Sequence, residues 1–302
     1  MTNVKNKLLL VGDNPFHNIS HLSQERARAR NEDPSDPAYA ASLIMTAVEN
    51  GANGFLFSVS ETTLAILEKL DERNSVDNLG LYAIVPYAFD YVRLATQVGG
   101  VPGLAKKFVG DIVKSRNGAA LRFGLRGVLT SDPVAILKTY LEYELSRIRK
   151  QSNKKPVVQS LMLHQMITDM SLALDLNWLF KAYIEFLLKK DIVPGFNTGN
   201  FAFLVDKFRE WEINLDQLLI AAPFNNVGFQ MIPSKEACEK ALSMLPEPNS
   251  IAISILAAGY VKPSQAAEYI ASLPNIKGVA VGVSKEKHAK ETFSVCNKRL
   301  CC

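Results

Sequence analysis

No apolar run in the 302-residue chain reaches the roughly 18 residues that a membrane-spanning helix needs. A membrane partner is therefore not expected. The opening, MTNVKNKLLLVG, has too short an apolar stretch for a secretory leader, so a cytoplasmic location is expected. Cysteine is scarce: Cys238, Cys296, Cys301 and Cys302 form no CxxC pair, which argues against a zinc ribbon or a disulfide framework. Charge of one sign is lacking too. The formal net charge is +4 and the basic residues are scattered, without the concentrated stripe that nucleic-acid binding requires. Only four histidines occur, and two of them, His17 and His21, fall within one stretch, VGDNPFHNISHLSQERARAR.

Hydrophobic residues make up 48% of the chain, enough for a large core. The length suits two average domains or one α/β barrel with an insertion. Short β-rich runs alternate with helical patterns, the signature of parallel βα units. The runs are 8–16, 54–60, 79–87, 157–165, 193–199, 218–226, 251–259 and 276–284. They are apolar throughout, as strands buried on both faces should be. Pro37 suits the first turn of a helix over 37–53, and Gly51 suits its end. Asp132 reads as the cap of an amphipathic helix over 132–151, with Pro133 behind it. Residues 88–155 exceed an ordinary connection and read as a helical insertion between strands three and four. The expected architecture is a TIM (β/α)8 barrel over 1–302, as a single domain. An open doubly wound sheet is the alternative, but GDNPF is not a glycine-rich dinucleotide turn.

A barrel of this kind places its chemistry at the C-terminal ends of its strands. Asp13, Asn14 and His17 stand after strand one, Tyr87 after strand three, and His164 and Gln165 after strand four. Asn197 and Asn225 follow strands five and six. His164, inside the core-like SLMLHQM, is the sharpest candidate for a general acid or base, with Asp13 and His17 as partners. It could equally be a histidine satisfied by a backbone carbonyl. Asn14, His21, Tyr87, Gln165, Asn197 and Asn225 are candidate substrate contacts. His17 and His21 are four apart, the spacing of a helical metal pair, but no HExxH accompanies them; a substrate-binding loop is the stronger reading, with plain surface structure as the alternative. Arg26, Arg28 and Arg30 could grip an anion or form a solvated face. In VGVSKEKHAKE, Gly282, Ser284 and Lys285 stand where a helix starts, a setting that favours phosphate; Gly259 belongs with the same candidate site. Ser284 could instead cap that helix.

Residues 157–293 resemble the second half of an aldo-keto reductase barrel. LMLHQ resembles that family's fourth strand, whose terminal histidine matches His164. VPGFNTGNF resembles its GVSNF strand-turn, and LLIAAPFNN its sixth strand. The last two βα units resemble the part that binds the adenosine phosphate of NADP in that family. The first half departs. FLFSVSETT stands where the family has D-T-A-x-x-Y-G, with Phe57 or Ser58 near the aspartate position and no tyrosine downstream. Val85 and Pro86 stand where the family has its lysine. The Cys301-Cys302 end also resembles the prenylated tail of Rab-type GTPases, but no GxxxxGK[ST] accompanies it and a frayed tail suffices.

Three functions follow as expectations. The first is an enzyme acting by proton transfer on a small anionic or phosphorylated molecule. The second is a divergent oxidoreductase that keeps NADP. The third is a non-catalytic barrel used for binding or assembly. A homo-oligomer is a separate expectation about partners.

Overall fold

The structure, a computed structural model, describes residues 7–17, 33–73, 79–87, 132–151 and 157–301. Eight parallel strands close into a barrel in chain order. They are β1 (Leu8–Gly12), β2 (Gly54–Ser58), β3 (Gly80–Val85), β4 (Val158–Leu163), β5 (Val193–Asn197), β6 (Leu219–Pro223), β7 (Ser250–Ile253) and β8 (Ile276–Gly282). The helices described are α1 (Pro37–Glu49), α2 (Glu61–Glu72), α3 (Pro133–Arg149), α4 (Gln165–Ala173), α5 (Asn177–Leu188), α6 (Phe201–Glu210), α7 (Lys235–Ser243), α8 (Pro263–Ser272) and α9 (Glu286–Leu300).

Local chemistry explains where several helices begin. Asp36 accepts the Tyr39 N–H at 2.8 Å and so caps α1, with Pro37 in its first turn. Gly51, at φ +105°, closes that helix in a conformation that costs other residues strain. Asp132 accepts the Val134 N–H at 2.9 Å and the Ala135 N–H at 3.3 Å, capping α3 as its position predicts.

Helix α3 lies within the expected insertion between β3 and β4. Its Arg147 pairs with Glu61 of α2 at 2.8 Å, and its Glu142 pairs with Lys190 just past α5 at 2.5 Å. Leu141, Leu145 and Ile148 are fully buried in the core that the strands share with the outer helices. Residues 133–149 are therefore a helix of the segment between β3 and β4 that packs onto the barrel. Residues 88–131 and 152–155 of the expected insertion lie outside the described residues.

Two cores follow from the period-2 alternation of each strand. Leu9, Val11, Phe55, Phe57, Leu161, Leu163 and Phe196 face outward and pack under the helices. Phe180, Phe196 and Phe208 meet there with ring centroids 5.1–5.5 Å apart. Each such ring contributes on the order of 1.5–3 kcal/mol of burial. Leu10, Leu56, Tyr82, Ile84, Met162, Ala221, Ile251 and Ala280 fill the barrel interior. Glycines make room for the larger of these. A Cβ on Gly195 would lie 2.3 Å from Met162 Cγ, and one on Gly54 2.9 Å from the Tyr82 ring. Burial pushes the Tyr82 hydroxyl up to about 12, so it stays neutral in the lower barrel.

The next inward positions along the chain are Gly12, Ser58, His164 and Asn197. They ring the C-terminal mouth, and the functional candidates gather around them.

Candidate active site

Asp13 leaves β1 as a short 3-10 turn, Asn14–His17, begins. The turn brings His17 back over Asp13: Nε2 of His17 lies 3.1 Å from Asp13 Oδ2. The same oxygen accepts the Ser58 N–H at 2.6 Å from the end of β2. Asp13 is 5% exposed, so its carboxylate is held by two donors away from water. An ionised carboxylate only accepts, so the His17 ring donates to it from Nε2. The His17 ring stacks on Tyr87, which follows β3, with centroids 4.6 Å apart.

His164 stands at the end of β4 and caps α4. Its backbone N–H donates to Val85 O at 2.7 Å, continuing the β3–β4 ladder one residue beyond the strand. Its ring Nδ1 accepts the Met166 N–H at 3.2 Å. That bond fixes the tautomer: the neutral ring carries its proton on Nε2. Burial lowers the His164 pKa below its ordinary value, while the Asp13 and Asp169 carboxylates pull it upward. Both carboxylates are thus within electrostatic reach of the ring. At neutral pH His164 is a neutral N–H donor. The mouth therefore holds this donor and the His17–Asp13 pair.

Asp169, one turn into α4, ties this corner to β5. It accepts Thr198 Oγ1 at 2.5 Å and the Gly199 N–H at 3.0 Å. The Gln165 amide lies over Gly199, where a Cβ would sit 2.3 Å from Nε2. Asp169 stands four residues after Gln165, a spacing that puts both on one face of α4. At the β5 end, Asn197 Oδ1 and Asn200 Oδ1 are buried with no hydrogen-bond partner.

The other candidates lie elsewhere. Asn14 is exposed on the 3-10 turn. Asn225 is fully buried and serves its own loop: its amide nitrogen donates to Phe229 O at 2.8 Å and Ser254 O at 3.3 Å, and its oxygen accepts the Phe229 N–H at 2.8 Å. Gly282 passes beneath the turn that carries Asp13, where a Cβ would lie 2.8 Å from Pro15 Cδ. This close approach needs glycine. Ser284 does not cap α9; Lys285 is the N-cap residue and is exposed, with no side-chain cap bond. Gly259, at φ +89°, lies in a left-handed turn with Ala257 and Ala258. His21 and the three arginines lie outside the described residues. Among the described residues, no three His, Cys, Asp or Glu side chains come together as a metal site would require, and no helix is long and apolar enough to cross a membrane.

The turn after β7 is strained. Ser254 at φ 54°, Ala257 at 43° and Ala258 at 58° all occupy the left-handed region that a Cβ disfavours. Ala258→Gly is expected to raise stability by about 0.5–1 kcal/mol, because glycine adopts that conformation without the steric cost. Urea denaturation of the two proteins reads this directly; a less stable variant contradicts it.

No family model and no curated protein matches the chain. Solved structures do. Two Pseudomonas aeruginosa structures, each described as a putative aldo-keto reductase, match with TM-scores of 0.57 and 0.58, each at 12% identity over 99% of this chain. The matches span 94% and 93% of those chains. The aldose reductase from Schistosoma japonicum matches at a TM-score of 0.50 and 12% identity, over 95% of this chain and 82% of its own. The barrel is aldo-keto-reductase-like. At this identity the likeness is one of fold. Within the reductase-like barrel, Val85 and Pro86 stand at the end of β3 and Ser58 at the end of β2. The carboxylate near the β2 end comes instead from Asp13 of β1, and a tyrosine, Tyr87, follows β3.

Proposed function

We propose that the protein is an enzyme that moves protons on a small anionic molecule held at the barrel mouth. One observation carries this reading: the buried Asp13 carboxylate holds His17, which stacks on Tyr87, and acts electrostatically on His164 at the end of β4. His17, oriented by Asp13, takes a proton on Nδ1. His164, neutral and protonated on Nε2, donates to an oxygen of the substrate. Asp13 stabilises the His17 imidazolium that forms. Ser284 and Lys285 at the head of α9 are the groups proposed to meet the anion. The test is a thermal-shift panel of phosphorylated and carboxylated metabolites. At least one is expected to stabilise the protein, by roughly 2.7 kcal/mol at a hundredfold excess over Kd. The shift should vanish in Asp13→Asn. A broad panel with no stabilising member sinks the proposal.

A second reading, an NADP-dependent oxidoreductase, is supported by the reductase-like barrel and by the two unpartnered amide oxygens at the end of β5. Asn197 and Asn200 suit a carboxamide N–H, and Ser284 with Lys285 suits a phosphate, so the residues fit the cofactor. NADPH when bound supplies a hydride; this chain's part is to hold it and to deliver a proton from Tyr87 or His164. NADPH fluorescence titration is expected to saturate near one per chain on this reading. No binding at high concentration leaves the first reading alone.

A further inference from the structure

We propose that His164 is a pH-operated latch on the head of α4: the neutral ring holds the first turn shut, and the protonated ring releases it. The latch is one hydrogen bond. Ring Nδ1 accepts the Met166 N–H at 3.2 Å, and among the described residues that nitrogen is the only acceptor this N–H has. An imidazolium carries a proton on both nitrogens and accepts nothing. No rotation of the charged ring can therefore restore the cap. The new charge also lies at the positive end of the helix dipole, where a cation is disfavoured. A serine, threonine or asparagine cap does not titrate in the same range, so histidine here makes the start of the helix depend on pH.

The release is confined to one turn. The Thr168 N–H donates to His164 O at 3.0 Å and Thr168 Oγ1 to Leu163 O at 3.2 Å, and neither bond involves the ring. Asp169 holds the next turn to the end of β5 through Thr198 Oγ1 and the Gly199 N–H. The first turn carries Gln165, which is exposed and whose amide covers Gly199. Unlatching therefore loosens the rim between β4 and β5. Burial disfavours the charged ring and is the larger effect, while the Asp13 carboxylate from β1 and the Asp169 carboxylate from α4 favour it. Asp13 also holds His17, which stacks on Tyr87. The neighbouring strands end in the uncharged Val85 and Asn197. The latch thus opens below the ordinary histidine range. It involves no substrate and stands whichever reaction the mouth performs.

The measurement is NMR of the full chain, isotopically labelled at methionine and histidine and acidified stepwise from neutral pH. Met162 lies in β4, Met166 in the first turn of α4 and Met170 beyond the Asp169 anchor, so one label reports all three positions. The Met166 resonance is assigned by its loss in Met166→Leu. As the His164 ring titrates, the Met166 amide order parameter is expected to fall from about 0.85 to below about 0.6 with the same midpoint, while Met162 and Met170 stay rigid. In His164→Asn the cap does not titrate, and Met166 is expected to stay rigid over the same range. A Met166 amide that remains ordered once the wild-type ring is fully charged overturns the proposal, and that reading depends on no variant. So does loss of order at all three methionines together, or the same pH dependence in His164→Asn.

Discussion

His164→Asn is expected to slow turnover of any ligand found in the metabolite panel by about 10²–10⁴-fold, while the barrel stays folded. The separation is possible because His164 does two jobs with different atoms. Nδ1 caps α4 by accepting the Met166 N–H, and asparagine is among the best residues for that task. The proton on Nε2 has no counterpart on asparagine with a comparable ability to transfer it. The pH dependence gives an independent reading. Burial lowers the folded pKa of His164 below 6.5, so the unfolded chain takes up the proton first as acidity rises. The contribution of the neutral ring to stability is therefore complete above about pH 6.5 and is lost as pH falls through the lower folded value. In His164→Asn this part of the slope should disappear from urea melts taken between pH 5 and 8. Asp13→Asn acts in the opposite sense on the ring. It removes a charge that favours the imidazolium, so the His164 resonance should titrate at still lower pH in NMR. Retention of full turnover by His164→Asn rules out the donor role.

Gly278→Ala is expected to cost about 3 kcal/mol or more, at the upper end for overpacked cores. The residue sits where β8 pairs with Leu8 of β1, the seam that closes the barrel, and beside a register shift between β7 and β8. A Cβ there would lie 2.3 Å from the Leu8 carbonyl oxygen and 2.4 Å from Leu8 Cβ. The oxygen is backbone in a ladder and cannot swing aside as a side chain would. Relief requires opening the seam. At roughly 2–4 °C per kcal/mol, the melting temperature should fall by about 6–12 °C, or the protein should fail to accumulate in soluble form. Gly282→Ala is the internal control. Its neighbour is the Pro15 ring on a turn, which can shift, so the loss should be smaller. Equal melting of Gly278→Ala and the wild type contradicts the packing argument.

The eight βα units were legible because apolar runs and helical spacing are local properties, and a barrel follows from their number and order. Caps were legible for the same reason: Asp36 before Pro37 and Asp132 before Pro133 need only the next three residues. The strand ends were not. The apolar run 8–16 pairs only to Gly12, and 251–259 only to Ile253. Beyond those points the residues are still strand-like in composition, but the backbone turns over the mouth and leaves the ladder. Nothing local distinguishes Ala257 and Ala258, whose left-handed conformation goes against their own preference. Nor could local reasoning separate Ser284 from Lys285 as the cap of α9.

The site divides in the same way. By itself the sequence determined that polar groups collect after strands one, three and four and that His164 is the residue to examine. Only the tertiary structure decided their relations. Asp13 reaches the Ser58 N–H across 45 positions, and His164 receives its electrostatic surroundings from Asp13 and Asp169 on separate segments. It also decided that Asn225, a rim candidate by position, holds its own loop, and that α3 pairs with α2 and with the end of α5. The reason is physical. Burial, counter-charge and the pairing of backbone groups depend on which segments close around a residue, and that closure is set by the barrel as a whole.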